Sequence, residues 1–298
     1  MSFLLKSLSP DKDAVLVTLA ARDFIQELWE SRRWVNPRVF LKSAQAVLAC
    51  LCVQALGEED SVENLEMQWS WEKEGLKHLY ADSLFQGAIR TNYSWYGDES
   101  EELAELKGIF KVRKSFKQGE GTGNVSAFET SGIVDSSGDI VRDVQDILLK
   151  SDQKDCAMAL SVRWDIDDSM DTAKLKITFA HAYLLHVLPS PIESQRDLLL
   201  EKWQNFLTML RSPAEWVLPE DSQKAAEEMT HFIFASTKGS LIFSKKPTYF
   251  CNCTEERIIG LMKVLSKEDL ESLAPTFDVE CKYCGKNYLV EKVKSGLA

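Results

Sequence analysis

Lys246-Pro247-Thr248-Tyr249-Phe250-Cys251-Asn252-Cys253 and Cys281-Lys282-Tyr283-Cys284-Gly285 lie near the C-terminal end of a 298-residue chain, and hold four of its seven cysteines. Side chains alternate along an extended segment, so Cys-x-Cys places both sulfurs on one side. Cys-x-x-Cys followed by Gly predicts a tight knuckle that presents two sulfurs from one turn. Together the pairs offer four soft ligands, the set that favours tetrahedral zinc with Zn–S distances of ~2.3 Å. The expected site is therefore one Zn2+ per chain on Cys251, Cys253, Cys281 and Cys284. Between the pairs, 254–264 and 266–273 read as short helices with Thr254 and Ser266 as N-caps and Asp269 at the capping-box position. Four unrelated thiols, or a static zinc fold without regulation, are the competing readings of the same spacing.

Such a site has the properties of a switch. A tail of ~50 residues buries too little apolar surface to stabilise itself, so metal binding supplies much of its folding free energy. Zinc-ligating cysteines are thiolates, the form that oxidants attack. Conversion to disulfides removes the ligands, releases the metal and loosens the tail. Neighbouring cysteines can pair within each motif without any other part of the fold in place.

Upstream, the pattern predicts an α+β protein: a strand-rich N-terminal body with packed helices over 1–190, a helical linker over 191–240, and the zinc domain over 241–298. The first 60 residues read as helical. Phe24, Ile25, Leu28 and Trp29 have helical spacing, and a second helix follows over 38–56. Leu65, Met67, Trp69 and Trp71 alternate with polar residues, as in a half-buried strand. Weaker strands at 109–116 and 125–134 flank a turn at Gly119–Gly123, which lacks the helix and Lys-Ser/Thr of a phosphate loop. Ser136 is expected to cap a helix with Asp139 as its box partner, burying Ile140, Val141, Val144, Ile147 and Leu148. Cys156, Met158, Leu160, Val162 and Trp164 share one strand face; Leu175, Ile177, Phe179, His181 and Tyr183 share another. The acidic stretch between them, Asp165, Asp167, Asp168 and Asp171, lacks the Gly and Glu of an EF-hand and reads as a solvated hairpin tip. In the linker, Leu198, Leu199, Leu200, Trp203, Phe206, Leu207, Met209 and Leu210 leave no polar face, so that helix requires cover on several sides.

Composition excludes several functions. A formal charge of −11 argues against a general nucleic-acid binder, although residues 240–298 are nearly neutral, with nine Lys/Arg against eight Asp/Glu. No apolar run approaches the ~20 residues of a membrane span; the longest, Val47–Ala55, suits a buried helix. Met1–Asp13 lacks the features of a signal peptide, so a cytoplasmic location is expected. Cys50 and Cys52 diverge by roughly 200° on a helix and read as core, as does Cys156 on its strand. The four histidines have no metal spacing, and no nucleophile–His pattern has a flanking signature, so the chain is not expected to be an enzyme.

Lys246–Arg257 and Cys281–Gly285 with Tyr288 resemble the entry to and exit from the zinc domain of the 33 kDa chaperonin (HslO) family. Ser137-Gly-Asp-Ile-Val-Arg-Asp143, Ser151-Asp-Gln153, Gly75–Arg90 and Tyr183–Pro189 are similar to further segments of that family. The chain departs from it at Ser43-Ala44, where a Gly-Arg pair is frequent, and at His181-Ala182, where Gly-Gly occurs. The resemblance implies a redox-regulated, ATP-independent holdase that is zinc-bound and inactive when reduced. Oxidation then forms disulfides Cys251–Cys253 and Cys281–Cys284, the chain becomes a homodimer, and apolar surface captures unfolding client proteins. Candidates for that surface are Leu198, Leu199, Trp203, Phe206 and Leu207. The alternative is a zinc-containing protein- or nucleic-acid-interaction module without redox control.

Overall fold

A computed structural model describes residues 1–32, 34, 36–57, 62–72, 75–84, 87–97, 106–116, 128–167, 174–189, 201, 203, 213, 216–234 and 239–292. The chain opens with strands β1 (Phe3–Leu8) and β2 (Ala14–Ala20), then helices α1 (Arg22–Glu30) and α2 (Pro37–Leu56). Strands β3 (Val62–Trp71), β4 (Gly75–Leu84), β5 (Ala88–Tyr96), β6 (Gly108–Phe116) and β7 (Phe128–Ser136) lead to helix α3 (Ile140–Lys150). The hairpin β8 (Cys156–Asp167) and β9 (Lys174–Val187) precedes helix α4 (Ser222–Ile233). Next come β10 (Ser240–Lys245), β11 (Thr248–Tyr249), α5 (Glu255–Met262), α6 (Lys267–Ser272), β12 (Thr276–Glu280) and β13 (Asn287–Glu291).

The strands form three sheets with orders β10-β1-β2-β9-β8, β11-β5-β4-β3-β6-β7 and β12-β13. Helix α2 is packed against strands of both larger sheets, and its buried residues run from Val39 to Ala55. Pro37 starts it, Asn36 caps the Val39 N–H at 3.0 Å, and Ser43 and Ala44 are both fully buried. As a helix it is long and apolar enough to cross a membrane, which a count of uninterrupted apolar residues does not register. Most of that apolar surface lies inside the protein.

The N-terminus corrects the sequence reading. Residues 3–8 and 14–20 are strands, not helix. Every residue of β2 is buried, because it is covered by α2 on one face and α4 on the other. A strand buried on both faces has no polar alternation to reveal it. On β3 the alternation holds, and Leu65, Met67, Trp69 and Trp71 all face the core. β4 and β5, unrecognised from periodicity, complete that sheet. β6 and β7 pair antiparallel across the expected turn, although Gly119–Gly123 lie outside the described residues, as do Asp168 and Asp171.

Two further expectations shift. On β9, Leu175 and Ile177 face the main core, but beyond them Ala180, Ala182 and Leu184 do so. A register shift opposite Arg163 and Trp164 inserts one residue and exchanges the faces, sending Tyr183, Leu185 and Val187 to the other side. At α3 the N-cap is Asp139, whose carboxylate accepts from the Arg142 N–H. Ser136 instead ends β7, and its hydroxyl donates to Asp143 Oδ2 at 2.6 Å.

Asp143 is a buried carboxylate with four donors. Besides Ser136, the Trp69 indole donates at 3.2 Å, the Ser137 N–H at 2.7 Å and the Ser137 hydroxyl at 2.8 Å. It ties β3, β7 and α3 together at the base of the main core. Gly138 permits this turn: its φ is +80°, and a Cβ there would lie 2.7 Å from the Leu106 carbonyl oxygen. Asp143→Ala leaves these donors buried and unpaired, and is expected to cost about 3 kcal/mol of unfolding free energy. Urea denaturation followed by circular dichroism checks this; a loss below ~1 kcal/mol would make the network incidental.

Candidate metal centre

The two cysteine motifs are built differently. Cys251 and Cys253 lie on the extended segment between β11 and α5, and Thr254 closes it by capping the Arg257 N–H. Cys281 and Cys284 occupy the loop of the β12–β13 hairpin. There the Cys281 N–H donates to the Lys286 carbonyl at 2.9 Å, and the Gly285 N–H to the Cys281 carbonyl at 2.8 Å. Gly285 has a φ of +68°, the left-handed conformation that closes such a knuckle without a Cβ clash.

The folding of these segments brings the four sulfurs to within 4.8 Å of one another. Across the motifs, Cys251 and Cys281 stand 3.6 Å apart and Cys253 and Cys284 3.4 Å apart. Four thiolates around a zinc at ~2.3 Å would stand about 3.8 Å apart, so this donor set fits a tetrahedral metal ion. The Tyr288 hydroxyl, on β13, lies 3.1 Å from Cys253 Sγ and 2.9 Å from the Cys253 carbonyl oxygen. A donor placed behind a ligand in this way orients the sulfur and stabilises its charge.

Electrostatics separates Cys253 from the three core thiols. Burial pushes the Cys50 and Cys52 thiols well up, and Cys156 up to about 12. They remain protonated and poorly reactive, as core residues. Within the cluster, burial raises Cys251 and Cys284. Burial acts the same way on Cys253, but hydrogen bonds from Tyr288 and the neighbouring thiols outweigh it and bring Cys253 down to about 7. Cys253 is thus drawn toward its thiolate form at neutral pH.

Residues remote in sequence hold this centre to the body. Arg90 on β5 grips Asp82 with two N–H groups at 2.6 and 2.8 Å and donates to the Asn252 side chain at 2.9 Å. Its guanidinium also lies over the Tyr283 ring at 4.4 Å. Arg32 donates to the Lys282 carbonyl and lies over Trp34 and Tyr93, and Tyr249 donates to the Tyr283 carbonyl. Nothing in the spacing of Arg32 or Arg90 marks them, because their partners at the centre stand 250 and 162 positions away, respectively.

Between β9 and β10 the structure describes Glu201, Trp203, Pro213 and residues 216–234. Trp203 is buried, in a cluster with Leu16, Tyr183, Leu185 and Phe234, and Trp216 stacks on Tyr183 at 5.9 Å. Helix α4 continues this cover: Ala225, Ala226 and Met229 pack on Leu5 and Ala20, and Thr18 donates to the Ala226 carbonyl at 3.0 Å. The outer face of the five-stranded sheet is therefore an apolar surface beneath Trp203, Trp216 and α4. The other client-surface candidates, Leu198, Leu199, Phe206 and Leu207, lie outside the described residues.

Comparison with known proteins places these features in one family. A family model described as Hsp33 protein matches residues 2–291. The 33 kDa chaperonin of Thermodesulfovibrio yellowstonii is 25% identical over 223 residues, covering 72% of this chain and 71% of that protein. That of Clostridium perfringens strain SM101 is 27% identical over 166 residues, or 54% of this chain and 47% of the relative. In structure, the 33 kDa chaperonin homologue (HSP33) of Thermotoga maritima superposes with a TM-score of 0.70 at 17% identity, over 99% of this chain and 96% of that one. The chain belongs to the Hsp33 family of chaperones.

Proposed function

We propose that this chaperone is a redox-regulated, ATP-independent holdase, inactive while reduced and metal-loaded and active once its four C-terminal cysteines are oxidised. One observation carries the reading: the metal donors are also the centre of the tail's fold. Its buried apolar cluster consists of Ile258, Cys281, Tyr288 and Val290, with Cys251, Cys253 and Cys284 packed around it. A core this small depends on a cross-link at its middle. Zinc held by the four thiolates supplies that cross-link and keeps the sulfurs deprotonated.

The proposed oxidation products are Cys251–Cys253 and Cys281–Cys284. Each disulfide forms from two thiolates with loss of two electrons, which together with two protons from solvent reduce one hydrogen peroxide to two waters. In the folded centre sulfurs of different motifs stand 3.4 and 3.6 Å apart. Pairing within each motif removes that cross-motif contact together with the metal ligands, so nothing holds the two segments to each other and the tail unfolds. Loss of the tail frees the linker, and the apolar face under Trp203, Trp216 and α4 becomes the surface that meets unfolding proteins. On this reading the oxidised chain works as a homodimer in the cytoplasm, and its negative charge suits neither nucleic acid nor an anionic membrane surface.

Three outcomes are expected. Reduced protein carries one zinc and leaves the aggregation of a thermally unfolding enzyme unaffected; peroxide with mild heat releases the metal to a chromogenic chelator and switches suppression on. Equal suppression in both redox states rejects the switch. Cys251→Ser loses tight zinc binding, and Tyr288→Phe weakens it by about 10-fold in chelator competition; a full equivalent retained by Cys251→Ser removes that residue from the ligand set. Peptide mapping of the oxidised chain yields the two within-motif disulfides, whereas Cys251–Cys281 and Cys253–Cys284 pairs would mean that oxidation leaves the tail folded.

A further inference from the structure

We infer that the outer edge of β5 is a second client site: a strand-accepting groove for extended apolar segments of unfolding proteins, plugged in this state by the chain's own residues 247–250. The inference rests on the holdase reading and lies on the six-stranded sheet, away from the linker-covered face.

The plug is β11. It adds to β5 in parallel, pairing Thr248 with Ala88 and Tyr249 with Ile89. The Thr248 N–H donates to the Gly87 carbonyl and the Phe250 N–H to the Ile89 carbonyl, each at 3.1 Å. Pro247, which has no N–H to offer, is buried just ahead of the strand. Thr248 and Phe250 point outward, while Tyr249 packs on the main core. The groove thus holds its occupant through main-chain hydrogen bonds and one ring on alternate residues. That mode reads any extended apolar chain rather than one sequence, which is what a general holdase requires of a binding surface.

The plug is also tied to the sulfurs. Tyr249 stands two residues before Cys251, and its hydroxyl bonds the knuckle at Tyr283. Arg32 clasps the same knuckle at the Lys282 carbonyl and lies against the Trp34 ring at 4.1 Å and the Tyr93 ring at 4.7 Å. Its Nε and Nη2 are buried without a hydrogen-bond partner among the described residues. A guanidinium held that way gains by returning to water once the knuckle leaves. What it leaves behind is the aromatic surface of Trp34 and Tyr93, stacked at 5.5 Å, beside an unpaired strand edge. An open edge of this kind is a template for another chain.

Photo-crosslinking tests the groove. p-Benzoylphenylalanine replaces Ala88, or as a control Ile133, which is exposed on β7 at the opposite edge of the same sheet. With a thermally unfolding enzyme as client, position 88 is expected to crosslink it only after oxidation, and several-fold more than position 133. An oxidised chain that suppresses aggregation but labels client equally at both positions overturns the groove and leaves the holdase reading intact. Suppression in neither redox state overturns both. Independently, Thr248→Pro deletes the N–H that donates to Gly87 and is expected to raise client capture by the reduced chain at one zinc per chain. Capture no greater than that of the unsubstituted reduced chain overturns the plug.

Discussion

The C-terminal unit has too little interior to hold itself together, and the rest of the molecule's behaviour follows from how that shortage is met. Four residues are buried in its cluster, and one of them is Cys281. Tyr288, another of the four, spends its hydroxyl on Cys253. Apolar packing, hydrogen bonding and the metal donors are therefore the same few atoms. In a larger domain a lost cross-link would cost a fraction of the stability; here it removes the centre of the fold.

The body has no such dependence. Its main core lies between two sheets with α2 inside, and Asp143 locks β3, β7 and α3 with four donors. On the proposed reading, a body held together in this way stays folded while the tail comes apart, and presents surface without becoming a client itself. Among the described residues the two are fastened by Arg90 to Asn252 and Tyr283, Arg32 to Lys282, Tyr249 to Tyr283 and the short strand β11. Interactions of this type hold while the knuckle keeps its shape and have little to hold once it does not.

Local chemistry was readable where it is short-ranged. The two cysteine motifs, the caps at Thr254 and Ser266, and the alternation of Leu65, Met67, Trp69 and Trp71 all depend on neighbours within a few positions, and each takes its expected form. The failures have long-range causes. β2 looks helical because α2 and α4 bury both of its faces. The β9 faces exchange because one residue is inserted opposite Arg163 and Trp164, and no side-chain pattern records that. Ser136 gave up its cap role to Asp139 because Asp143, seven residues on and buried, draws its hydroxyl.

By itself the sequence determined the candidate donor set and the fold class, since soft donors at Cys-x-Cys and Cys-x-x-Cys spacing and period-2 or period-3.6 patterns are local properties of the chain. Only the tertiary structure decided that the two cysteine pairs meet, what the tail is fastened to, and which apolar faces are covered. Those depend on Arg32, Arg90 and Tyr249 meeting residues from 34 to 250 positions away. Such pairings are set when sheets close and a strand edge is filled, and no window of sequence contains both partners.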